Sequence, residues 1–153
     1  MLMGDITMRV QAMLLLGLAL VAPTTAEARD TKLMLPIAEA MSTPEAREKM
    51  QGDVRFFFGD ELHPKVKERL GEGVSNRKTN AVNKTDKRAC EWAFLSAMLA
   101  LQGRARELGA DAVVNIESYY RKVPVKSATQ YECHAGAVIA GVALKGEFVK
   151  LAK

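Results

Sequence analysis

The chain predicts an α+β domain with one main helix packed on a small antiparallel sheet and two short additional helices. Three observations carry that expectation. Over residues 86–108, Cys90, Phe94, Ala97, Leu101, Ala105 and Leu108 recur at spacings of three and four, which places them on one face of a helix. Residues 112–120 alternate, with Val114, Ile116 and Tyr120 on one side and Asn115, Glu117 and Tyr119 on the other, as in a half-buried strand. The third is ATQYECHAGAVIAGVALKG, residues 128–146, a polar approach followed by small and apolar residues. It reads as a long strand over 130–149, antiparallel to the first, with Ala and Gly letting the helix lie close.

The remaining elements follow in order. Arg9 and the apolar run Val10–Ala22, then PTTAEA with Ala26-Glu27-Ala28, have the form of a signal peptide, so residues 1–28 are expected to be removed and 29–153 to form a single α+β domain. Met8 offers a better signal start than Met1, because it leaves Asp5 outside. The run is short of the about 20 residues a membrane span needs, and no transmembrane segment is expected in the mature chain. TKLMLPI reads as irregular or a short strand. Ser42-Thr43-Pro44-Glu45 starts a short helix, with a hydroxyl cap, Pro in the first turn and Gly52 as the stop. The aromatic run at 53–58 reads as a strand. HPKVKERLG repeats the pattern of Pro start and Gly stop, with Val66 and Leu70 one turn apart, and predicts the second short helix. Residues 71–85, rich in Gly, Asn and basic side chains, read as an exposed loop. Thr85 or Asp86 caps the main helix and Gly109 ends it. Pro124 makes residues 121–127 a connection.

The chemistry-bearing residues are few. Residues 29–153 hold 21 Lys and Arg against 16 Asp and Glu, a mildly basic balance that suits anionic partners but does not specify one. Nucleic acid is not the expected partner. Cys90, Cys133, His63 and His134 are the only Cys and His residues. Neither C-x-x-C nor H-x-x-x-H occurs, and on a strand Cys133 and His134 point to opposite faces, so a shared metal ion is disfavoured. Export favours oxidation, and two cysteines leave no competing partner, so Cys90 and Cys133 are expected to form a disulfide between helix and sheet. Asp111 and Glu117 lack an evident carboxylate partner for acid–base work. Trp92, Tyr119 and Tyr120, beside Arg121, Lys122 and Lys126, form an aromatic patch whose simpler reading is packing. The candidate binding element is the basic loop Arg77, Lys78, Lys84, Lys87 and Arg88, which suits an anionic partner.

With LGADAVVNIESYY and ECHAGAVIAGVALKG read this way, the chain resembles the YbjQ-like and RcsF-like fold group. FFFGDELHPKV, SNRKTNAVNK and CEWAFLSAMLALQ bring it closest to a subfamily of short secreted proteins often labelled "excinuclease ATPase subunit". The resemblance spans Leu35 to Leu151 and implies a small α+β domain. The label does not fit, because no G-x-x-x-x-G-K-[ST] loop is present to cradle a nucleotide's phosphates. The expectation is a periplasmic or secreted, non-enzymatic binding or oligomerising module, with no cofactor and no metal. An envelope protein, an anionic surface or a second copy would be its partner. A metal-binding or redox module using Cys and His is the alternative.

Overall fold

The computed structural model describes residues 28–50 and 52–153; the expected leader therefore lies, apart from Ala28, outside the described residues. In chain order the elements are β1 (Thr31–Pro36), α1 (Ile37–Met41), α2 (Pro44–Lys49), β2 (Arg55–Phe58), β3 (Val66–Asn80), α3 (Asp86–Leu108), β4 (Ala112–Ser118), a 3-10 turn (Tyr120–Lys122), β5 (Gln130–Ala135) and β6 (Ile139–Leu151). All six strands join one sheet in the order β1-β5-β6-β4-β2, while β3 pairs with β6 along its whole length. Since β5 and β4 meet β6 in succession at 140–141 and 144–149, β3 covers the other edge of β6.

This architecture corrects the predicted fold class. Among the described residues strand makes up 42% against 30% helix, so the fold is mostly β, a six-stranded curled sheet carrying one long helix. Nor is the sheet wholly antiparallel, since β2 runs parallel to β4. Three elements account for the difference. The expected short helix at HPKVKERLG and the expected loop at 71–85 are largely one 15-residue strand, β3. A register shift between Val66 and Glu68 puts Val66 against a small cluster with Val114, Val149 and Leu151, whereas Leu70 packs on the main core. Their four-residue spacing therefore reflects a bulge and not a helical turn. The single strand expected over 130–149 is a hairpin, with Gly136 N–H donating to the Ile139 carbonyl at 2.8 Å. Third, TKLMLP is a full strand that pairs with β5 from Thr31–Ala135 to Pro36–Gln130.

The long helix forms for local reasons. Thr85 Oγ1 accepts from Arg88 N–H at 3.2 Å, Asp86 sits in the first turn where the helix dipole favours an acid, and Gly109 closes the end at φ 70°. Ala89, Ala93, Ala97 and Ala105 are buried along its inner face, so small side chains set the close approach to the sheet. Between them Phe94 packs against Tyr131 of β5 in a tilted pair with ring centroids 4.3 Å apart. On β4, Asn115 adopts φ 53°, a left-handed conformation Asn tolerates, and the strand bulges there. The bulge breaks the alternation expected for 112–120. Val113 and Ile116 share the main core, Val114 lies in the small cluster, and Tyr120 leaves the strand for the 3-10 turn, half-buried.

Candidate functional site

The two cysteines are joined. Cys90, in the second turn of α3, and Cys133, in β5, have sulfurs 2.01 Å and Cα atoms 5.9 Å apart, and both side chains are wholly buried. Tyr131, Cys133 and Ala135 belong to the core beneath α3, so the alternation of β5 turns Glu132 and His134 to the other side of the sheet. No free thiol remains on the chain. Neither sulfur is therefore placed to bind a metal or attack a substrate.

On that other side His134 is held at both ring nitrogens. Nδ1 lies 2.8 Å from Asp30 Oδ1 and Nε2 lies 2.7 Å from Glu132 Oε1, so each ring nitrogen faces a carboxylate oxygen within hydrogen-bond distance. Its ring stacks on Tyr120 with centroids 3.5 Å apart and planes inclined by 9°. Lys32 Nζ lies 2.9 Å from the second oxygen of Glu132. Burial pushes the Glu132 carboxyl up, but the hydrogen bonds from His134 and Lys32 outweigh it, and the group lies below its ordinary value. A ring engaged this way is a fixed wall. It has no nitrogen turned to solvent for proton transfer or metal ligation.

Strand register carries the site outward from that wall. Lys32 is opposite His134, His134 opposite Gly141, and Gly141 opposite Lys78, so the four lie in a row across β1, β5, β6 and β3. Because Gly141 has no side chain, a gap opens between His134 and Lys78. The gap belongs to a pocket of about 360 Å³ lined also by Tyr120 and the hairpin residues Val138 and Ile139.

The predicted basic loop is not one surface. Arg77 and Lys78 are exposed neighbours on β3, where adjacent side chains point to opposite faces, and Lys84 is in the turn before α3. Lys87 and Arg88 lie in the first turn of α3, where Glu39 of α1 pairs with Lys87, while Glu45 of α2 and Glu91 pair with Arg88. The hydrogen bond that Lys87 donates to Glu39 is the main reason its ammonium lies above its ordinary value. Half-buried Trp92 has the Arg88 guanidinium 5.1 Å over its ring. Asp111 accepts from Leu151 N–H at 2.9 Å, which makes it a structural cap on β6. His63 rests beside Phe57 with ring centroids 5.5 Å apart and a hydrogen-bond contact of 2.8 Å to the Pro64 carbonyl.

In the sequence His134 stands only as the residue on the strand face opposite Cys133, and its partners are not marked there. Glu132 and His134, two apart on one strand, were the available signal, since that spacing puts an acid beside an imidazole on the same face. Asp30, 104 residues away, carried none. Among the described residues, no three His, Cys, Asp or Glu side chains converge as a metal-binding group, and no helix is long and apolar enough to cross a membrane. Compared with known protein families, with curated proteins and with solved structures, the chain matches none.

Proposed function

We propose that the chain is a non-enzymatic binding module of an oxidising, extracytoplasmic compartment, periplasmic or secreted, released by cleavage after Ala28. The observation that carries this reading is the buried Cys90–Cys133 bond, which takes up both thiols of the chain and is the form cysteines adopt in exported domains. With His134 also engaged at both nitrogens, the thiols and that imidazole are occupied by structure, and the surface is what remains to act. The resemblance to the YbjQ-like and RcsF-like group supports the same reading.

Three measurements on protein purified from its native compartment test it. N-terminal sequencing should begin at Arg29, thiol titration in denaturant without reductant should find no free thiol, and a pull-down from envelope fractions should retain a partner or a second copy. Stoichiometric metal together with two free thiols would replace this reading with the metal or redox alternative.

A further inference from the structure

We propose that the pocket between His134 and Lys78 binds a small single-chain amphiphile with an anionic head. Lys78 takes the head, and the turn between β5 and β6 takes the tail. This deepens the binding reading above by naming its ligand class, and rests on it.

Charge is the first argument. The other charged side chains at the pocket are already neutralised. Arg29 makes two hydrogen bonds to Asp86, at 2.8 and 2.9 Å, and one to the Gly136 carbonyl. Asp30 faces His134 and lies 3.4 Å from Arg121. Lys78 has no ion-pair or hydrogen-bond partner among the described residues, so its ammonium is the uncompensated side-chain charge of the site, next to the α-amino group that cleavage after Ala28 would leave on Arg29. A flexible ammonium is a point charge that accepts a carboxylate or a phosphate head equally well.

Shape and polarity complete the case. A Cβ on Gly141 would stand 3.7 Å from Lys78 Cγ, an ordinary contact, so neighbouring atoms do not exclude a side chain there, and its absence keeps the trough open. Along the trough Val138 and Ile139 are 60% and 50% exposed, large apolar side chains left in water beside an unpaired cation. An apolar wall with one placed charge is the usual composition of a site for a small amphiphile, and about 360 Å³ is at the small end of such pockets. The opposite wall is rigid, because His134 is clamped by two carboxylates and stacked on Tyr120, so little ordering is lost on binding.

The test is titration of the purified protein with octanoate, octyl phosphate, octanol and acetate, followed by calorimetry and by the NMR signals of Tyr120 and His134. Octanoate or octyl phosphate should bind saturably and shift both signals, with octanol and acetate at least tenfold weaker because each lacks half of the recognition. The stronger of the two anions identifies the head group. Lys78→Met should weaken binding of the anions at least tenfold and leave octanol unchanged; Ile139→Ser, also at an exposed position, should weaken octanol and the anions alike. No saturable binding by either anion would overturn the proposal, as would a Lys78→Met protein that binds them like the parent. Binding to phosphatidylglycerol vesicles without competition by octanoate would also overturn it, assigning the hairpin to a membrane surface. If both anions fail while an envelope partner is still retained, the pocket falls and the binding-module reading stands. Metal with free thiols would remove that reading itself.

Discussion

Glu132 and Tyr131 are neighbours on β5 with opposite demands. Glu132 is buried on the outer side and is held below its ordinary value although burial alone would raise it, because His134 hydrogen-bonds to one oxygen and the Lys32 ammonium lies 2.9 Å from the other. A carboxyl depressed in the folded state contributes stability that is present above its unfolded value of about 4.5 and is lost as pH falls through the folded value. Glu132→Gln removes that contribution. Thermal melts should therefore show the parent losing its advantage over the variant between about pH 5 and pH 3, while equal slopes would mean that the Glu132 contacts are not formed in solution. Tyr131 faces the core and its hydroxyl has no hydrogen-bond partner among the described residues, and burial pushes its ionisation well above the ordinary range. An unpartnered buried hydroxyl costs about 1–3 kcal/mol. Tyr131→Phe keeps the ring against Phe94 and removes the cost, so the variant should be as stable as the parent or more so, by about 1 kcal/mol in urea unfolding. A clear loss of stability would reveal a partner for the hydroxyl.

Among the elements, β3 shows how a strand can hold a polar sequence. Most of its residues are exposed, and its pairing to β6 is supplemented by Arg69 with Glu147, Glu72 with Lys145 and Glu68 with Lys150. Such surface pairs are worth little individually, so the backbone ladder carries the strand. Gly71 is the weak point of that ladder. Its φ of 125° lies in the region side chains avoid, yet no atom comes within 4 Å of a Cβ built there, so Gly71→Ala tests backbone strain alone. A loss of about 1–3 kcal/mol in urea unfolding is expected, and a neutral result would show that β3 relaxes around the bulge. At α3 the cap is the corresponding handle. Thr85→Ala removes the acceptor for Arg88 N–H and should cost about 1 kcal/mol.

For the molecule as a whole, the disulfide ties the start of α3 to the strand that bears the site wall. It closes a separation of 43 residues, for which chain entropy suggests about 4 kcal/mol, a large share of a small domain's roughly 5–15 kcal/mol. Cys90→Ser with Cys133→Ser should accordingly lower the melting temperature sharply. Because both sulfurs are wholly buried, reduction of the native protein by dithiothreitol should be slow and should accelerate in sub-denaturing urea, as thiols enter only through opening. Fast reduction without denaturant would contradict that burial.

What could be read from the chain alone is what short-range physics decides. The bounds of α3 follow from a hydroxyl cap, an apolar spacing of three and four, and a terminal Gly, each acting within a few residues, and Cys90 falls on the buried face of that spacing. The disulfide was legible because a two-cysteine chain has one possible internal pairing. The state of β3 was not, since its polar residues suit a loop equally well and become a strand only when β6 offers a partner of matching length. Likewise the hairpin between β5 and β6 is hidden by apolar residues that continue through its turn, and the shift at Asn115 changes which side chains of β4 face the core. The site itself is assembled across strands. Asp30, His134, Gly141 and Lys78 lie on four segments, and their neighbourhood exists only in the sheet register, a long-range pairing to which no local pattern refers.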